Sequence, residues 1–143
     1  PFAVIDSAKI KTDAFGNSTA NFIHATSGSY YLQIIHRNSI ETWSSAPLNM
    51  ANGNTLTFDL TSSQSNAFGN NLVLKSGKWC IFGGDINRDG SIDATDVSSV
   101  ENDVAVGLSG YVQTDVTGDN FVDGSDLSLL ENNAAAGVVS VLP

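Results

Sequence analysis

The chain has little basic charge, almost no sulfur and no long apolar run. Six Lys and Arg stand against fifteen Asp and Glu, and no basic stripe exists, which excludes a nucleic-acid partner. With one cysteine, Cys80, no internal disulfide can form. That thiol lies in the apolar run Trp79-Cys80-Ile81-Phe82 and reads as a buried structural group, since reactive cysteines need an open, electropositive setting. No apolar stretch approaches the roughly 18 residues of a membrane helix. GxSxG, HExxH, P-loop and Rossmann patterns are all missing. The histidines, His24 and His36, have no Cys or Ser partner at catalytic spacing, so the chain reads as a non-enzyme. It opens on Pro1 without a visible signal peptide, from which a processed or trimmed start is expected.

Acid is what the chain has, and it is unevenly placed. Residues 1–78 carry five Lys/Arg and four Asp/Glu, a net of +1. Residues 79–143 carry one Arg and eleven Asp/Glu, a net of −10. Most of that acid falls in two stretches, Asp85-Ile-Asn-Arg-Asp-Gly-Ser-Ile-Asp-Ala-Thr-Asp96 and Asp115-Val-Thr-Gly-Asp-Asn-Phe-Val-Asp-Gly-Ser-Asp126. Calcium takes six to eight oxygens, and a twelve-residue loop wrapped round one ion aims alternate residues inward. The first loop would offer Asp85, Asn87, Asp89, the Ser91 carbonyl, Asp93 and Asp96. The second would offer Asp115, Thr117, Asp119, the Phe121 carbonyl, Asp123 and Asp126. Gly90 and Asn120 take position 6, where the backbone turns into the φ > 0 region. Ile92 and Val122 at position 8 are expected to let the loops pair back to back. Two Ca2+ ions follow. Magnesium fits poorly, because it keeps its waters. Sites of modest affinity fill where calcium is millimolar, which places the chain outside the cell, secreted or at a cell surface.

The loops belong to a duplicated unit. At an offset of thirty, Ser98/Ser128, Glu101/Glu131, Asn102/Asn132 and Gly107/Gly137 repeat along with the acids. Asp96 and Asp126 are expected to cap helices with apolar faces Val97, Val100, Val104 and Leu127, Leu130, Ala134, ending at the two glycines. No helix pattern precedes either loop.

Residues 1–82 read as β throughout, a sandwich of about seven strands, with 83–143 as a second domain hinged at Gly83-Gly84. The expected strands are Phe2 to Ile5, Ser18 to Ile23, Tyr30 to Arg37, Ile40 to Trp43, Thr55 to Thr61, Leu72 to Leu74 and Trp79 to Phe82. Turns are expected at Asp13–Asn17, at Ala25–Ser29, at Asn52-Gly53 and at Ser76–Lys78. Tyr30, Tyr31, Trp43 and Trp79 read as core fillers in preference to a sugar-stacking platform. Arg37 and Glu41 are placed to pair at the surface. Asn17-Ser-Thr19 is a glycosylation sequon in a turn.

Loop-then-helix, given twice and with Asp at position 12, resembles a dockerin module over about residues 83–137. The resemblance implies a non-catalytic plug for a β-sandwich partner, a cohesin. It also implies partner contacts at loop positions 10 and 11 and on the helix faces beyond them. Those positions are Ala94, Thr95, Ser99 and Asp103 in the first unit, and Gly124, Ser125, Leu129 and Asn133 in the second. They differ from the Ser-Thr pairs of many cellulosomal dockerins. Residues 15–43 are similar, more weakly, to transthyretin-like or carboxypeptidase-regulatory sandwiches, and the whole is similar to X-module–dockerin tandems. The apolar ends, residues 1–5 and Gly137–Pro143, would serve either as local clasps or as strands lent to another copy, which would build a filament.

Overall fold

The computed structural model describes residues 3–143. By internal contacts the chain falls into two compact units, one of Pro1–Tyr30 with Leu48–Thr57, the other of Tyr31–Pro47 with Phe58–Pro143. The seven-stranded sandwich is not found. Among the described residues, six strands of two or three residues form three separate antiparallel pairs.

In the first unit β1 (Gly28–Tyr30) pairs with β4 (Leu48–Met50), with Ser29 opposite Asn49. Most of the rest of this unit is extended or turn backbone. Residues 3–12, 18–22 and 54–57 form no strand, and Phe2 lies outside the described residues. The turn at Asp13 is as expected, because its Oδ1 accepts the Phe15 and Asn17 amides at 2.8 Å. A second carboxylate, Asp6, ties residues 24 and 25 back through Oδ2, which accepts their amides at 2.6 and 3.0 Å. The Asn52-Gly53 turn also forms, with Gly53 at φ 79°, but no hairpin follows it.

The second unit contains β2 (Gln33–Ile34) paired with β3 (Thr42–Trp43), and β5 (Val73–Lys75) paired with β6 (Lys78–Cys80). The expected long strand from Tyr30 to Arg37 is therefore two short ones with different partners. The β5–β6 hairpin is as expected, turned by Ser76 (φ 48°) and Gly77 (φ 79°), both left-handed as a two-residue hairpin loop requires. Two 3-10 turns, Gln64–Asn66 and Phe68–Asn70, carry Phe68 to an edge-on contact with Tyr31, which also meets Trp43 edge-on. These rings pack on one another but are only half-buried, and none of them lies in the buried core.

Helices α1 (Ala94–Ala105) and α2 (Gly124–Ala135) are built alike. Each begins at Asp93 or Asp123, not at Asp96 or Asp126 as expected from the sequence. The later aspartates stand at the third helical position and reach back to the cap amide, closing a capping box. Both helices face one cluster of Ile40, Ile86, Ile92, Val100, Val122, Leu130 and Val138, with Val97, Val104, Leu127 and Ala134 against it. Val100 and Leu130 are fully buried. Each such side chain contributes about 1.5–3 kcal/mol.

Ile40, Ile81 and Phe82 belong to the same cluster, so the helices share their core with residues N-terminal to Gly83. Residues 38–40 run antiparallel to 82–84, with the Ile40 amide on the Phe82 carbonyl (2.9 Å) and the Gly84 amide on the Asn38 carbonyl (2.7 Å). Gly84 sits at φ 124°, and a Cβ there would press on Ile92 and Leu130 at 3.1 and 3.2 Å. The glycine thus lets the chain enter the first loop against the core instead of acting as a free hinge.

Candidate metal-binding loops

The turn chemistry at position 6 is as the spacing requires. Gly90 has φ 88° and Asn120 φ 72°. Both donate their amides to the position-1 carboxylate: Gly90 to Asp85 Oδ2 at 3.2 Å, Asn120 to Asp115 Oδ2 at 3.3 Å. Position 12 is the most deeply set acid in each loop, with Asp96 and Asp126 both fully buried. Asp96 Oδ1 accepts the amides of Ile86 and Asn87, and its Oδ2 that of Asp93. Asp126 repeats this with Val116, Thr117 and Asp123. Each loop is thus closed on its last carboxylate by three backbone donors, an arrangement reproduced thirty residues apart.

The loops do not pair with each other. The Ile92 amide donates to the Val138 carbonyl after α2, and the Val122 amide to the Leu108 carbonyl after α1. The bridges Ser91–Val139 and Ser109–Phe121 lie beside these bonds. One further matching pair runs from Ser140 to the Gly90 carbonyl and from Gly110 to the Asn120 carbonyl, both at 2.7 Å. Each loop is therefore clasped by the segment that follows the other unit's helix. Position 8 is apolar because it lies in the shared core. The C-terminal segment acts as one of the two clasps, held in addition by Asn71, whose Nδ2 donates to the Val139 carbonyl.

The remaining sequence-predicted ligands are tied within their loops. Asp89 accepts the Ser91 amide and the Asn87 side-chain amide, and Asp119 accepts the Phe121 amide. Asp93 and Asp123 accept the amide and hydroxyl of Thr95 and Ser125. These bonds hold both carboxylates below the usual range, the side-chain hydroxyl contributing most. Thr117 and the carbonyl-donor residues Ser91 and Phe121 stand at their loop positions. Among the described residues no three His, Cys, Asp or Glu side chains converge as a metal cluster. The loop donor set relies on Asn, Thr and carbonyl oxygens as well.

One atom speaks directly for a cation. Asp85 is 2% exposed, and its Oδ1 is buried without any hydrogen-bond partner. Desolvation, the main cause, holds this carboxyl above the ordinary aspartate range, with the neighbouring Asp96 and Asp89 adding to the rise. A buried carboxylate oxygen without a partner, at the first position of a loop rich in oxygen side chains, suits a hard divalent ion. In the second loop the matching oxygen, Asp115 Oδ1, accepts the Gly118 and Asp119 amides at 2.8 and 3.1 Å.

Three residues at the second loop could not be found from sequence. Arg37 Nη2 reaches the Asp115 carbonyl at 2.9 Å and Asp115 Oδ2 at 3.4 Å, and its guanidinium lies 3.9 Å over the Tyr111 ring. Asn38, 2% exposed, donates its Nδ2 to the Gln113 and Asp115 carbonyls at 2.8 and 2.9 Å. Gln113 donates back to the Arg37 carbonyl. The expected Arg37–Glu41 pair is replaced by these contacts, and Glu41 instead accepts from the Trp43 indole. No local pattern announces contacts across 75 or more positions.

The positions expected from the resemblance to meet a partner are placed unequally. Ala94, Thr95, Gly124 and Ser125 are exposed on the helix starts, and Ser99 is half-buried with its hydroxyl on the Thr95 carbonyl. Asp103 accepts the Thr114 hydroxyl at 2.6 Å, and Asn133 donates to the Gly83 carbonyl at 2.7 Å. Leu129 lies beside Gly83. No helix among the described residues is long and apolar enough to cross a membrane.

No curated protein and no solved structure matched the chain. A family model did: the dockerin type I domain, over residues 83–135. That stretch runs from the glycine pair through both loops to the end of α2, and the match supports a calcium-binding, non-catalytic dockerin module there.

Proposed function

We propose that the chain is an extracellular attachment module whose two loops each bind one Ca2+ ion and thereby present the helix starts to a protein partner. The bare, buried Oδ1 of Asp85 carries this reading, since a divalent ion is the partner that oxygen lacks. The ligands are those of the loop spacing: Asp85, Asn87, Asp89, Ser91, Asp93 and Asp96, then Asp115, Thr117, Asp119, Phe121, Asp123 and Asp126. The exposed Ala94, Thr95, Gly124 and Ser125, with Ser99, are the contact positions the fold leaves most accessible. Asp103, Leu129 and Asn133 would act from behind them. A cohesin-like β-sandwich is the partner proposed from the family match. Calcium-dependent capture of a purified cohesin, lost on Thr95→Arg with Ser125→Arg, tests it. Binding that persists in chelator would contradict it.

A second reading has its own observation. Val4, Ile5, Ile10, Phe15 and Ile23 are 45–87% exposed on backbone that pairs with no strand. Unpaired apolar chain such as that at Val4 and Ile5 suits strand donation to another copy, and head-to-tail repetition would build a filament. Electron microscopy of the pure protein with calcium separates the readings. Fibres support the second, and a monodisperse monomer at high concentration removes it.

A further inference from the structure

The two loops are duplicates in sequence, yet their first carboxylates are treated differently. Asp85 receives the Gly90 amide at 3.2 Å, the Arg88 amide also faces it, and its Oδ1 has no partner within hydrogen-bond geometry. Asp115 receives three amides and a guanidinium. The guanidinium is that of Arg37, which forms the only ion pair among the described residues. It is itself largely enclosed, with 15% of its side chain exposed, against 1% for Asp115. Tyr111 backs it, and Asn38 pins the same Asp115 carbonyl that Arg37 holds. The first loop also contains a cation, Arg88, but its Nε goes to the Arg37 carbonyl at 3.3 Å and it pairs with no carboxylate.

We propose that Arg37 is a built-in counter-ion of the second loop, so that this loop keeps its shape with little metal and takes calcium more weakly than the first. The inference rests on the loops being calcium sites. A fixed guanidinium on the first ligand of the ring neutralises part of the acid that draws a cation there, and it repels the ion when it arrives. A unit charge about 6 Å from a divalent ion costs about tenfold in affinity even at the dielectric of water. The same contact stabilises the loop when calcium is low, because Asp115 is then not left as an uncompensated buried charge. Arg37 thus converts two equal sites into a tight one, at Asp85, and a weak one, at Asp115, which fill in order. It is a positioning residue, and it is not itself a ligand.

The test uses the isotopically labelled full chain, stripped with chelator and titrated with Ca2+. The amide signals of Gly90 and Asn120 are followed, each being bonded to its own loop's first carboxylate. Gly90 is expected to reach its midpoint at a calcium concentration about tenfold below that of Asn120. Arg37→Gln is expected to lower the Asn120 midpoint about tenfold, to leave that of Gly90 in place, and to lower the calcium-free melting temperature. Arg37→Lys, which keeps the charge, is expected to hold the two midpoints apart. Equal or reversed midpoints in the parent chain overturn the proposal, as does an Arg37→Gln chain whose Asn120 midpoint rises. If Arg37→Gln does not fold without calcium, the parent order and Arg37→Lys decide. Silence of both amides would instead remove the calcium reading itself.

Discussion

At the scale of single residues, the structure depends on polar side chains that satisfy backbone groups far away in sequence. Asn38 is the clearest case, since one buried amide group serves two carbonyls at the entry to the second loop, those of Gln113 and Asp115. Asn38→Ala leaves both without that donor and is expected to cost about 1–3 kcal/mol in urea unfolding. An unchanged midpoint would show that the contact is incidental. Asp6 acts similarly in the other unit, accepting the amides of His24 and Ala25. These bonds, that of His24 first, hold its carboxyl below the ordinary value. A depressed carboxyl contributes stability above its unfolded pKa and loses it as pH falls through the folded one. Protection of the His24 and Ala25 amides, corrected for intrinsic exchange, is therefore expected to fall as pH drops below about 4. Asp6→Asn should remove that dependence. None of these roles was legible in the sequence. An isolated Asn or Asp signals a turn or a cap, but nothing in its neighbourhood names a partner many positions away.

The elements differ in how well the sequence foretold them. The loops and helices are repeated, their ligand positions are spaced by the geometry of one ion, and their apolar faces recur at helical period, so their extents read directly. Only the caps shifted, from Asp96 and Asp126 to Asp93 and Asp123. Both acids lie in the same turn, and the capping box uses the pair. The β elements were read less well. Alternation at Leu56, Phe58 and Leu60 marks a face, but a strand exists only where a neighbouring strand supplies hydrogen bonds, and residues 54–59 pair with no strand. Local turn chemistry was the exception, and it placed the β5–β6 hairpin correctly.

The clasps make an element-scale prediction. Val138 is 8% exposed, and its carbonyl accepts the first loop's Ile92 amide. Ending the chain at Gly137 removes both contacts and is expected to destabilise the first loop by about 2 kcal/mol or more, one buried side chain and one hydrogen bond. Exchange at Ile92 should quicken while Val122, clasped by Leu108, stays protected. Equal loss at both amides would mean that the clasps are not independent.

At the scale of the whole molecule, charge and core point the same way. Eleven acids against one Arg fall in residues 79–143, and most of these acids lie in the two loops that flank a single apolar cluster. Ile40, Ile81 and Phe82 join that cluster, so the loops are supported by chain that precedes Gly83. An ion present at about 1,000 times its dissociation constant adds about 4 kcal/mol of stability. Chelator is therefore expected to lower the melting temperature sharply, and added magnesium to restore little of it.

The account is tested most directly by calorimetric titration of the chelator-stripped full chain with Ca2+, beside a chain carrying Asp85→Ala and Asp115→Ala. Two ions bound per parent chain and none per double variant is the expected result. A parent chain that takes up no calcium, or a double variant that takes up as much as the parent, would contradict it.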